Sequence, residues 1–116
     1  MTISVTGEQA AICARFGIEA SGVGPEQIAG VAWSVRSGLV PVNGLRHEPA
    51  GDTSGWYIWA GEELSDDPGF FVPLHVEHLT QWRPEVVPYL ALPPGWRFLL
   101  APGHEDVWHD GSLLLA

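Results

Sequence analysis

In residues 56–60 (WYIWA) both phases of a two-residue alternation are apolar. Trp56, Ile58 and Ala60 fall on one face of an extended chain, Tyr57 and Trp59 on the other. A strand of this kind belongs in the middle of a sheet or carries one half-buried, adhesive face. A further strand is predicted at 28–35 (IAGVAWSV), with Val31, Trp33 and Val35 on one side. Residues 39–42 make a short edge strand at best, because Pro41 has no N–H to give to a ladder. Near the C-terminus, 96–100 (WRFLL) and 105–109 (EDVWH) predict a hairpin across Ala-Pro-Gly-His, with Asp110-Gly111 as another tight turn.

Helical spacing occurs twice. Residues 6–17 begin at Thr6 as N-cap with Gln9 three positions on. Ile12, Cys13 and Phe16 share a face, and Gly17 suits the C-terminal end. Residues 74–82 (LHVEHLTQW) put Leu74, His78 and Trp82 on one line. Pro84 stops that helix and starts one or two further turns through Leu90. The order helix, strand, strand, helical pair, strand, strand does not alternate regularly. The prediction is therefore an α+β fold, with a largely antiparallel sheet, an N-terminal helix and a central helical pair, in a single domain over 1–116.

Composition narrows the class. At 116 residues, 46% hydrophobic and 16% charged, the chain has ordinary globular character and enough length for one core. Fourteen acidic residues against five arginines and no lysine set a net charge of -9. Nucleic acid and anionic membranes are disfavoured as partners, whereas a basic protein is attracted. Cys13 is alone, which excludes an intramolecular disulfide and a cysteine-based zinc site. No signal-like or membrane-spanning stretch is visible, so a cytoplasmic protein is expected.

Candidate chemistry is sparse. His75 and His78 lie one helical turn apart in the predicted helix, but the four-residue zincin spacing is missing and a third ligand is not evident. No metal or other cofactor is expected. Arg46 and His47, followed by Glu48 and Asp52, resemble an anion clamp beside an acid/base pair. No serine sits in a Gly-x-Ser-x-Gly elbow, and there is no phosphate-cradling glycine loop. Residues 46–54 read more simply as a turn-rich binding lip. Of the tryptophans, Trp33, Trp56 and Trp96 are expected in the core. Trp59 and Trp82, both beside acidic turns, are candidates for exposed anchors.

Four segments, GLRHEPAGDTSGWYIWAGEELSDDPGFFVPLHVEHL, PEVVPYLALPPGWRFL, EDVWHDGSLL and the N-terminal EQAAICARFGI, together resemble the immunity protein 33 family of bacterial polymorphic-toxin systems. GWYIWAGE and DDPGFFVPLHVEHL are the most specific blocks. The resemblance implies a small cytoplasmic protein that binds and occludes a cognate toxin without catalysis. An acidic inhibitor suits a basic toxin such as a nuclease. On this reading the partner-binding residues are Arg46, His47, Asp52, Trp59, Glu62, Glu63, Asp66 and Asp67. The competing expectation is a small-molecule or metal-dependent enzyme or sensor using His47, His75 and His78.

Overall fold

The computed structural model describes residues 5–65 and 67–114. Helix α1, Gly7–Arg15, starts on the predicted cap: Thr6 Oγ1 accepts from Gln9 N at 3.1 Å, and Gln9 Oε1 accepts from Thr6 N at 3.0 Å. Gly17, at φ 66°, takes the left-handed conformation that ends the helix. The strands are β1 Ile28–Ala32, β2 Val42–Arg46, β3 Thr53–Ala60, β4 Phe71–His75, β5 Trp96–Ala101 and β6 His104–His109. A short helix, α2 (Leu79–Trp82), and a 3-10 turn, Pro84–Tyr89, separate β4 from β5.

All six strands form one sheet, ordered β4-β1-β3-β2-β5-β6. The β1–β3 pairing is parallel and the other four are antiparallel, so the predicted α+β class and largely antiparallel sheet hold. The doubly apolar strand β3 lies inside the sheet, between β1 and β2. The predicted hairpin is also present, closing at the Ala101–His104 pair.

Three elements differ from expectation. The weak edge strand at 39–42 is instead β2, shifted C-terminal to Pro41 and placed between β3 and β5. Asn43, Gly44 and Arg46 hide its alternation; neighbours on both sides, absent from any local pattern, make it a strand. Residues 74–82 are not one helix, because Leu74 and His75 complete the ladder of β4 with β1 and only 79–82 are α-helical. Pro73 is tolerated there because β4 is an edge strand. Strand β1 stops at Ala32, and Trp33 opens a 3-10 turn with 58% of its surface exposed, so it is not a core residue. It stacks on the partly exposed Trp82, with ring centroids 5.1 Å apart.

One face of the sheet is covered. Val31, Trp56, Ile58 and Phe98 pack there with Cys13 of α1, Leu79 of α2, and Val86, Leu90 and Leu92. Trp56 Nε1 donates to Leu90 O at 3.0 Å, so the large indole is buried with its polar atom satisfied. No helix among the described residues is long and apolar enough to cross a membrane.

Candidate functional site

The opposite face is open. Among the described residues, its own cluster holds only Ala32, Leu45, Trp59 and Leu113, with Phe70 and Phe71 packed against them. The strand registers place Tyr57 and Trp59 of β3, Asn43 and Leu45 of β2, Arg97 of β5 and Trp108 of β6 on this side. On β1 the same side carries the small residues Gly30 and Ala32. Aromatic side chains from β3 and β4 can therefore meet across β1. Tyr57 meets Phe71 edge-on at 5.2 Å, and Trp59 meets Phe71 edge-on at 6.2 Å.

This arrangement overturns the exposure expected of Trp59. Trp59 is 4% exposed and is not a surface anchor, whereas Tyr57 is 39% exposed and Trp108 37%. Phe70 and Phe71, following the acidic turn, shield the indole. The alternation identified the shared face of Tyr57 and Trp59; inclusion in the cluster with Ala32, Leu45, Phe70 and Phe71 covers Trp59 alone.

A glycine at a bulge positions the lip. Ile28 of β1 opposes Thr53, but Gly30 already opposes Tyr57, so β3 accommodates extra residues between these two pairs. Gly55 sits in that interval at φ 88°, where a Cβ would come within 2.0 Å of His47 O. Only glycine fits. His47 N donates to Gly55 O at 2.9 Å, Ile28 N to Asp52 O at 2.8 Å, and Ala50 N to Thr53 Oγ1 at 3.1 Å. The turn is thus tied to β1 and β3 by its backbone, leaving His47, Glu48 and Asp52 exposed. Beside it runs a groove of about 450 Å³ between the turn, Tyr57, and Phe71 and Pro73 of β4.

Arg46 is corrected from binding residue to internal strut. It is 1% exposed, and its guanidinium donates to Ser54 O at 2.9 Å, Ser21 O at 2.7 Å and Leu92 O at 2.9 Å. It also lies over the Trp56 ring at 5.7 Å. Burial pushes its pKa down to about 10, still well above neutrality, and the charge of Glu48 opposes that shift. The lip therefore begins at His47 and ends before Thr53, where β3 starts.

The acidic residues predicted to join this lip lie elsewhere. Glu62, Glu63 and Asp67 are exposed beyond the C-terminal end of β3, whereas His47 and Asp52 precede its N-terminal end. Eight strand residues separate the two groups by roughly 25 Å. They form opposite rims of one face and not a single patch. Asp66 lies outside the described residues. Sequence reasoning also passed over Arg97 and Trp108. Arg97 pairs with Asp110 at 3.1 Å and stacks over Trp108 at 5.3 Å, so the arginine of this face is already partnered. The period-two pattern of the C-terminal hairpin could have revealed them once β5 was known to neighbour β2.

The histidines and the cysteine form no comparable centre. The rings of His75 and His78 are 5.8 Å apart, but they sit on a strand end and a 3-10 turn rather than along one helix. Among the described residues no group of three His, Cys, Asp or Glu side chains is placed to hold a metal ion. Cys13 is buried with Sγ 3.5 Å from Ala91 O, and burial pushes its thiol pKa up, away from a reactive thiolate. On the covered side, Glu105 of β6 bonds both Arg15 and Tyr89. Burial, then the Glu105 contact, pushes the Tyr89 hydroxyl up to about 12, making it a donor and not a base.

No curated protein and no solved structure matches the chain significantly. The model of the Imm33-like domain family does match, over residues 8–110, which includes every strand, the bulge and the open face, and the chain accordingly belongs to the Imm33-like family.

Proposed function

We propose that the protein binds and neutralises a bacterial protein toxin through the open sheet face, by occlusion and without catalysis. The observation that carries this reading is an open face that exposes Tyr57 on the internal strand β3 and Trp108 on the edge strand β6, with acidic residues beyond both ends of β3. Exposed aromatic side chains on a firm support are typical interface anchors. A charged rim guides a basic partner to them. Family membership points the same way, because an immunity role requires a toxin partner. The net charge of -9 favours a basic toxin, with nucleases as the leading class.

The test is growth of cells expressing candidate toxin domains, basic nucleases first, with and without this protein. Wild-type protein restores growth and forms a stoichiometric complex in which the toxin keeps its mass. The double variant Tyr57→Ala, Trp108→Ala loses protection while remaining folded. Full protection by that variant, or protection at substoichiometric amounts with a covalent change in the toxin, would overturn the reading.

A further inference from the structure

The groove beside Tyr57 has a more specific chemistry than the face around it. Its floor at Gly30 is bare backbone: a Cβ there would lie 2.8 Å from Tyr57 Cδ1 and 2.9 Å from Cε1. Any other residue would displace the ring, so Gly30 allows Tyr57 to lie against the strand and form a wall. Phe71 supplies a second aromatic wall. At the mouth stand His47 and Glu48. His47 Nδ1 is 3.0 Å from Leu113 O, and because a carbonyl only accepts, Nδ1 carries the hydrogen. In the neutral ring Nε2 is then an acceptor. Glu48 makes no ion pair among the described residues, and neither arginine nor lysine lines the groove.

Aromatic walls, acceptors at the mouth, an exposed carboxylate that senses the buried Arg46 charge without pairing with it, and a lining free of arginine and lysine describe a receptor for a planar cation. We propose that this groove receives an arginine side chain of the partner protein, stacked on Tyr57 and donating to Glu48. The proposal rests on the toxin-binding reading and names the chemistry of the partner at one point of its surface. Arginine is favoured over lysine because a guanidinium stacks on an aromatic ring while its fork of donors reaches a carboxylate. A volume of about 450 Å³ admits such a side chain with its methylene stem along Ile28 and Pro73.

The probe is N-acetyl-arginine N-methylamide, titrated into the isotope-labelled protein and followed by amide NMR. Saturable shifts are expected at Gly30, Tyr57 and Phe71. The citrulline counterpart, equal in shape but uncharged, should bind about tenfold more weakly. Glu48→Gln should weaken the arginine probe several-fold with an otherwise unchanged spectrum. Tyr57→Phe should retain binding, and Tyr57→Ala should lose it. Free L-arginine should bind no more tightly than the capped form, because the groove takes the side chain and offers its charged α-groups no further partner. Equal binding of citrulline, shifts confined to other regions, or tighter binding of free arginine would overturn the proposal; the last result would indicate a small-molecule site. The two readings fail separately. A silent groove combined with loss of protection in the Tyr57→Ala, Trp108→Ala variant removes only the arginine proposal. Arginine binding combined with full protection by that variant removes the partner as its source.

Discussion

The two faces of the sheet use the same strands and are finished in opposite ways. On the covered face Trp56 lies under Leu90 and Leu92, and its indole nitrogen is satisfied by a carbonyl. On the open face Trp59 belongs to a small cluster with Ala32, Leu45, Leu113, Phe70 and Phe71, and its Nε1 has no hydrogen-bond partner among the described residues. Next to it Tyr57 is exposed. The covered face maximises burial. The open face buries enough to hold its aromatic residues in place and leaves part of the surface of Tyr57 and Trp108 exposed. Even the arginines follow this division: Arg46 is consumed by three carbonyls inside, and Arg97 is paired outside.

The most severe test of the contrast is Trp56→Ala. It should cost about 5 kcal/mol in a urea melt, at the upper end for a buried aromatic, because a cavity forms and Leu90 O loses its donor. Trp59→Ala should cost less, about 3 kcal/mol, since the thin cover over it can collapse and no bond is lost. Equal costs for the two would show that the open face is as tightly built as the covered one. Arg46→Ala should also remove about 3 kcal/mol by leaving carbonyls of Ser21, Ser54 and Leu92 unpaired. A change below about 1 kcal/mol would mean that Arg46 is dispensable as a strut. Tyr57→Ala is the counterpart. Its stability should change by under about 1 kcal/mol, while partner affinity should fall by about 2 kcal/mol or more.

The smallest effect concerns the rim of the covered face. The Tyr89 hydroxyl is pushed up to about 12, by burial first and then by Glu105, so the folded state favours its neutral form. That contribution is complete below the ordinary tyrosine value of about 10 and is lost as pH rises through about 12. Glu105 is shifted the other way, held low by Arg15 and then by Tyr89, so its contribution is lost as pH falls through the acid range. Because the Arg15 side chain is half-exposed, the acid effect should be slight. Tyr89→Phe should flatten the alkaline limb of a stability–pH curve. An unchanged limb would separate Tyr89 from the alkaline loss.

Local chemistry made several features legible. The capping box and Gly17 bound α1, the alternation of WYIWA marked β3 as a strand either central or with one adhesive face, and the turn at Pro102-Gly103 set the C-terminal hairpin. Within the turn-rich stretch expected over 46–54, residues 47–52 do join β2 to β3 outside both strands, since glycine and small polar residues bend the chain wherever they occur. Each depends on residues near one another in sequence. What failed depended on distant neighbours. Val42–Arg46 became a strand because β3 and β5 flank it, and His75 left the expected helix because β1 offered a ladder.

The same limit governed the site. Alternation alone determined that Tyr57 and Trp59 share a face, and the composition alone set the net charge of -9. Only the tertiary structure decided that Trp59 is covered and Tyr57 is not. That choice depends on residues distant in sequence, Ala32, Leu45, Phe70 and Phe71 among them, which form a cluster that takes in Trp59 and leaves Tyr57 out. It likewise decided that Arg46 points into the core and His47 does not, because the carbonyls that hold Arg46 come from loops at Ser21 and Leu92 as well as from Ser54. A period of two assigns faces, but burial is set by what the rest of the chain lays upon each face.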